Sequence, residues 1–323
     1  MKRNVIGIDI GGTKCAVTYG LNNEEGIEIV DKVKFDTTNV DGTVANLLET
    51  TSAIMQKHSL DVGAVSAIGI SCGGPLDSKK GVIMSPPNLP GWNNIPIVEY
   101  FEKRFGVKTA IQNDANACAL AEWQFGAARG YSNVIFLTFG TGMGAGLILD
   151  GRLYAGTNDN AGEAGHIRLE KTGPVGYGKA GSFEGFCSGS GIAQLARAKV
   201  MEKLQMGEPV SFCQSMNEID RLTAKTVAEA AETGDMLAKE IYRECAQYLG
   251  KALSILIDVL NPEIIVIGSI YCRAQNLIEP AMQEVIDCET IVHARRVCKI
   301  VPAGLGENIG DYAALSVAVN ALI

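Results

Sequence analysis

Two short segments of this chain break a β-like run with glycines and then resume a β-like run, and this repeated strand, glycine turn, strand design narrows the folds open to it. In the first, the apolar run 5–9 meets Gly11-Gly12, and residues 15–19 continue the strand pattern. In the second, the β-rich stretch 133–139 leads into Gly140-Thr141-Gly142-Met143-Gly144, and residues 145–149 are again strand-like. A Rossmann or Walker loop needs a helix after its glycines, and a strand follows here. Each segment alone reads equally well as a glycine-stabilised β-turn. Two of them, one near the start of each half, favour a duplicated architecture. In that reading the turns offer backbone N–H groups to a nucleotide's phosphates, and Thr13 and Lys14 add a hydroxyl and a charge.

The segments between and after them alternate. Periodicity predicts helices over 44–57, 98–105, 115–125, 192–204, 226–232 and 236–260, and strands over 65–70, 107–112 and 264–267, with Asn261-Pro262 ending the longest helix. The alternation predicts α/β layers with parallel strands. A length of 323 residues predicts two domains. No low-complexity linker separates them, so the expected division is an N-terminal α/β domain over 1–117, joined by a C-terminal helix 309–323, and a larger α/β domain over 118–308.

A net charge of −8 argues against a broad nucleic-acid surface. No apolar run reaches membrane-spanning length, and Met1-Lys2-Arg3-Asn4 leads straight into a strand-like segment, so a cytoplasmic location without membrane association is expected. The nine cysteines are scattered, mostly inside apolar runs and without a closely spaced pair, which predicts buried free thiols and no disulfide framework.

Polar residues gather in a few places. Asn113-Asp114-Ala115-Asn116 lies where a strand gives way to a helix, the usual ligand position in open α/β sheets. Helix capping explains the same residues, while the functional reading makes Asp114 a base for a substrate hydroxyl. Gly162-Glu163-Ala164-Gly165-His166 sets a carboxylate and one of three histidines among small residues, and Glu184 sits in another glycine-rich loop. Carboxylate, amide and imidazole groups in such loops suit a polyhydroxylated ligand, whose hydroxyls need fixed donors and acceptors.

Taken in order, the first hairpin, Gly69-Ile70-Ser71-Cys72-Gly73-Gly74-Pro75-Leu76-Asp77, Ser85-Pro86-Pro87-Asn88-Leu89-Pro90-Gly91-Trp92, the 113–116 segment, the second hairpin and Glu163–His166 resemble the motifs of the ROK family. The resemblance implies a two-domain actin/hexokinase-like (ribonuclease H-like) α/β fold with a ligand cleft between domains. It also implies a hexose or N-acetylhexosamine 6-hydroxyl as acceptor, with ATP and Mg²⁺. Asp114 matches the family's catalytic base, and Gly74, Asn88, Asn113, Glu163, His166 and Glu184 match its sugar contacts. Gly11, Gly12, Thr13 and Lys14, with Thr141, Gly142 and Gly144, match its phosphate hairpins. Gly268 matches a glycine near adenosine, and Asp9 is the candidate to hold Mg²⁺ through water. Homodimers are common in the family.

The chain departs from the family in three places. Val175, Tyr177 and Ser182 replace three of four zinc-ligating cysteine and histidine positions, so His166 stands alone and no structural zinc is expected. The 174–184 loop must then be held by packing and hydrogen bonds. Gly73 stands where proline is usual, and Ser269-Ile270 replaces a glycine run. The family also contains sugar-responsive transcriptional regulators, which carry a DNA-binding domain ahead of the first hairpin, where here four residues precede the strand. A sugar-binding protein without catalysis is the remaining alternative.

Overall fold

The computed structural model describes residues 2–323. In chain order, the first stretch runs β1 (Arg3–Ile10), β2 (Lys14–Asn23), β3 (Gly26–Asp36), α1 (Val40–Lys57), β4 (Val65–Cys72), β5 (Leu76–Asp77), β6 (Val82–Ile83), α2 (Ile97–Phe105), β7 (Thr109–Asn113) and α3 (Asp114–Phe125). There follow β8 (Val134–Leu137), β9 (Ala145–Leu149), β10 (Arg152–Leu153), β11 (Val175–Gly176), β12 (Lys179–Ala180), α4 (Phe183–Phe186), α5 (Gly189–Gln205), α6 (Ala224–Glu232) and α7 (Met236–Leu260). The chain closes with β13 (Ile264–Ile267), α8 (Ile270–Glu289), α9 (Val292–Val297), β14 (Lys299–Pro302) and α10 (Ile309–Asn320).

These elements group into two compact units. One extends to Ser132 and includes Gly146–Ala161 and Gly304–Ile323; the other comprises Asn133–Ala145 and Gly162–Ala303. A division at residue 117 would fall inside α3, whose continuous helix keeps the residues on both sides of that point in one body. The chain instead leaves the first unit after Ser132.

The first unit is built on a mixed sheet in the order β3-β2-β1-β4-β7, with β1, β2 and β3 antiparallel and β4 and β7 parallel to β1. Side chains alternate between its faces. Ile6, Ile8 and Ile10 enter a core with Leu47 of α1, Phe101 of α2 and Trp92. Val5 points the other way, onto Leu315 and Ala318 of α10. That helix lies directly on the strands because Gly7 and Gly69 pair across β1 and β4. A Cβ on Gly7 would stand 2.9 Å from the Leu315 amide, and one on Gly69 2.2 Å from the Ala318 amide. Two bare glycines therefore seat the helix, and by alternation Asp9, next to last in β1, lies on the same face. At the far end of α3, the buried Glu122 accepts hydrogen bonds from Ala127 N (2.8 Å), Gly304 N and Leu305 N (both 3.0 Å). This carboxylate ties the approach to α10 to α3 without leaving a buried charge unsatisfied.

In the second unit β13 runs between β8 and β14, parallel to both. All four residues of β8 and of β13 are buried, as expected of parallel strands covered on both faces. The helix α7 buries Ala238, Ile241, Cys245, Leu249, Ala252 and Leu256 along one stripe at helical spacing. Asp235 caps its start by accepting from Ala238 N, and Asn261 ends it in the left-handed conformation. At Gly250 the backbone of α8 comes close, since a Cβ there would meet Met282 O at 2.7 Å. The helix α8 holds Pro280 and is kinked at Ala274, where φ is −125° and ψ 27°.

All nine cysteines are free. Cys15, Cys72, Cys187, Cys213 and Cys245 are buried, but Cys272 and Cys288 are exposed, against expectation. Both lie off the stripe through Tyr271, Ile278 and Met282 by which α8 packs. Among the described residues, no helix is long and apolar enough to cross a membrane.

Candidate active site

The expected site residues fall into two sets, one in each unit. In the first unit, β1 and β2 meet through a tight turn in which the Gly11 amide donates to Lys14 O at 3.1 Å. Thr37, just past β3, braces it: its hydroxyl donates to Gly11 O at 2.6 Å and its amide to Thr13 O at 3.0 Å. Gly12, Thr13 and Lys14 are exposed at the tip. The loop carrying Asn88 packs against this turn so closely that a Cβ on Gly12 would lie 2.4 Å from Asn88 O. A Cβ on Gly73 would approach the Asn88 side-chain oxygen to 3.0 Å, so a side chain at 73 would press on Asn88. Gly74, next in the chain, is exposed. The structure thus brings Gly12, Gly73 and Asn88 together.

At the junction of β7 and α3, Asn113 is the helix N-cap, its side-chain oxygen accepting from Asn116 N at 2.8 Å. The capping role is observed, and the amide nitrogen of the Asn113 side chain still offers a donor. Asp114 follows as the first helical residue, with one carboxylate oxygen accepting from Ala115 N at 2.8 Å. Its side chain is open to solvent, yet crowding by surrounding protein pushes its carboxyl above the usual range, and the backbone N–H bonds only partly offset this. A carboxylate that a ligand can reach but water solvates poorly is a stronger base than a free aspartate. Asn116 is buried and donates to Gln112 at 3.2 Å, while its own carbonyl oxygen has no partner.

Burial, and then the charge of Asp311, push the Asp9 carboxyl up to about 6; Lys32 pulls the other way, and Asp114 adds a further push. Lys32 forms an ion pair with Asp311, which leaves Asp9 the less compensated of the two aspartates. A carboxylate strained by other carboxylates suits a cation, and Asp9 therefore fits the role of holding a hydrated Mg²⁺.

In the second unit, the turn after β8 closes through Thr138 N to Gly144 O (3.0 Å), Gly144 N to the Thr138 hydroxyl (2.9 Å) and Gly140 N to Gly142 O (3.0 Å). The Glu163 segment packs directly behind it. Gly162, at φ 88°, would set a Cβ 2.1 Å from Ala145 O, and Gly165 would set one 2.1 Å from Met143 O. These two glycines bring Glu163 and His166 beside the turn, both exposed. Glu184 joins them: its carboxylate accepts from Met143 N at 3.0 Å and would lie 2.7 Å from a Cβ on Gly142.

The 174–184 loop is closed without thiols. Gln194 of α5 brackets Val175, accepting from its N–H and donating to its carbonyl, both at 2.9 Å. Gly181 N donates to Pro174 O at 2.9 Å and Phe183 N to Ile167 O at 2.8 Å. Of the three positions that depart from the zinc pattern, Val175 and Tyr177 are 47% and 75% exposed, and Ser182 is a buried N-cap accepting from Gly185 N. The Tyr177 ring stands edge-on to His166 with centroids 6.2 Å apart. Among the described residues, no cluster of three or more His, Cys, Asp or Glu side chains is placed to hold a metal.

Also in the second unit, a cavity of about 680 Å³ opens beside Gly140 and Thr141, lined among others by Ser190, Arg197, Lys225 and Arg273. The Arg197 Nε is buried without a partner beside this cavity, which is large enough for a nucleoside. Gly268 is buried behind it and donates to Leu137 O at 2.9 Å. Sequence reasoning missed these cavity residues, which come from separate helices. The one local hint was the run Ser188-Gly189-Ser190-Gly191, where the Gly189 amide donates to Gly140 O at 2.8 Å.

A model of the ROK family matches residues 5–320. The chain belongs to the ROK family. The glucokinase of Thermotoga maritima is 33% identical over 288 residues, 88% of this chain and 88% of that one. Among solved structures, a ROK family glucokinase from Streptomyces griseus in complex with glucose and AMPPNP superposes with a TM-score of 0.74 at 29% identity, covering 98% of this chain and 99% of that one. A ROK family transcriptional regulator, homologous to the E. coli MLC protein, gives a TM-score of 0.84 at 25% identity over 98% of this chain and 78% of that one. The fold is the actin/hexokinase-like two-domain α/β fold of this family.

Proposed function

We propose that this ROK protein is an ATP-dependent kinase that phosphorylates the 6-hydroxyl of a hexose or N-acetylhexosamine. The observation that carries this reading is Asp114, reachable by a ligand at the start of α3 yet crowded enough to raise its basicity. Asp114 takes the hydroxyl proton as the sugar oxygen bonds to the γ-phosphorus, and the bond from that phosphorus to the bridging oxygen breaks, with ADP leaving with the electron pair. Asn88, Gly74 and Asn113 of the first unit and Glu163, His166 and Glu184 of the second supply donors and acceptors for the sugar. The turns at Gly11–Lys14 and Thr141–Gly144 offer the amides they do not spend on their own closure, and Lys14 a charge, to the phosphates. The cavity lined by Arg197, Lys225 and Arg273, with Gly268 behind it, takes the nucleoside. Mg²⁺ held through water by Asp9 would neutralise charge on the phosphates.

The reading is supported by 33% identity to a glucokinase and by likeness to a glucokinase that binds glucose and AMPPNP. A screen for ADP release with ATP and Mg²⁺ over a panel of hexoses and N-acetylhexosamines tests it. Sugar-dependent release is expected on at least one of them. The TM-score of 0.84 to a transcriptional regulator favours one second reading, a sugar-responsive regulator. Sugar binding without ADP release on any member of the panel would replace the first reading by that one.

A further inference from the structure

Ser269 stands where the family pattern has glycine, and it adopts a glycine-like backbone. Its φ of 50° and ψ of −107° lie in a region strained for any residue with a Cβ. The bonds around it hold it there, for the Gly268 amide donates to Leu137 O at 2.9 Å and the Ile270 amide to Phe139 O at 3.0 Å. A serine at a helix start ordinarily accepts a first-turn N–H, and Ser269 does not. Its hydroxyl instead accepts from Arg273 Nη2 at 3.2 Å. Both residues line the cavity that opens beside Gly140 and Thr141, and the Ser269 hydroxyl is 3.7 Å from where a Cβ on Gly140 would stand. The kink at Ala274 follows immediately, so the turn bearing Arg273 is set apart from the rest of α8.

We propose that Ser269 is a positioning residue for the phosphoryl donor. Its hydroxyl fixes the Arg273 guanidinium at the end of the cavity nearest the second glycine turn, where the guanidinium binds the anionic phosphates of the nucleotide and not its base. A guanidinium carries five N–H donors in a planar fork suited to phosphate, and a side chain already fixed loses less entropy on binding. Glycine at 269 would relax the backbone but remove that acceptor. The inference rests on the nucleotide reading of this cavity.

Calorimetric titration of the full chain with AMPPNP and Mg²⁺, and separately with adenosine, tests it. Ser269→Gly and Ser269→Ala should each weaken AMPPNP about five- to tenfold, the scale of one charge-assisted hydrogen bond, and leave adenosine within about twofold. Arg273→Gln should weaken AMPPNP at least as much, and Ser269→Gly combined with Arg273→Gln no more than Arg273→Gln alone. Thermal unfolding of Ser269→Gly should occur a few degrees higher than the parent's, about 2–4 °C, which separates a binding defect from misfolding. AMPPNP affinity unchanged in both Ser269 variants, or an equal loss for adenosine, overturns the positioning role while leaving the nucleotide cavity standing. Failure of the parent chain to bind either ligand overturns the nucleotide reading and this inference with it.

Discussion

The two glycine turns share a sequence design and differ in what holds them. The first is braced by backbone and by Thr37, with Gly12 pressed against a main-chain oxygen of the Asn88 loop and an exposed lysine at its tip. The second is tied by a side chain, because the Glu184 carboxylate occupies the Met143 amide and Gly142 faces that carboxylate and not backbone. Repetition of spacing is therefore not repetition of chemistry. One turn offers a cation to an anionic ligand, and the other already holds an anion of its own. In the proposed reaction the first turn is the natural grip for the most highly charged part of the donor.

Substitutions can break or sharpen this contrast. The largest effect is expected from Asp114→Asn, which removes the proposed base and should lower turnover in the ADP-release assay by about 10²–10⁴-fold while sugar still binds in titration. Near-normal turnover would sink the assignment. Next comes Gly12→Ala, whose methyl would meet backbone that cannot step aside; a loss of about 2–3 kcal/mol should show as a lower Tm.

Asp9→Asn probes the charge beside the first turn. With its folded value raised to about 6, the Asp9 carboxyl contributes stability below its ordinary value of 3.8 and loses it as pH rises through about 6. The asparagine variant should therefore gain on the order of 2 kcal/mol over the parent at pH 7.5 and little at pH 4, read from Tm at each pH. An equal gain at both would deny the titration. Gly142→Ala should cost less than about 1 kcal/mol, since its methyl meets only the far end of a flexible side chain. If it costs as much as Gly12→Ala, the two turns are held alike and the contrast fails. The smallest expected effect is none: dialysis against a chelator should leave Tm unchanged, and a fall of several degrees would mean that the chain holds a structural metal.

Much of this architecture was legible because local chemistry and global fold agree. Residues 236–260 carry a helical stripe, a capping Asp235 and a terminal Asn261-Pro262, and α7 has those bounds. The glycine turns announced themselves through the residues flanking them. By contrast β3 was not foreseen: a register shift opposite Tyr19 and Gly20 disturbs its alternation, and Lys32 and Lys34 give it a loop-like composition. The helix α8 was hidden by Pro280 and the kink at Ala274. In the site, Asn113 and Asp114 were visible at a strand–helix junction, whereas the hold of Glu184 on Met143 joins residues 41 apart and leaves no local trace. The cavity residues Arg197, Lys225 and Arg273 sit on three different elements, which no linear pattern connects.

The clasp of Gln194 on Val175 has one more consequence. An amide neither titrates near neutral pH nor changes oxidation state, whereas thiolate ligands do both. The tie between Gln194 and Val175 is therefore one that neither oxidation nor metal starvation would remove.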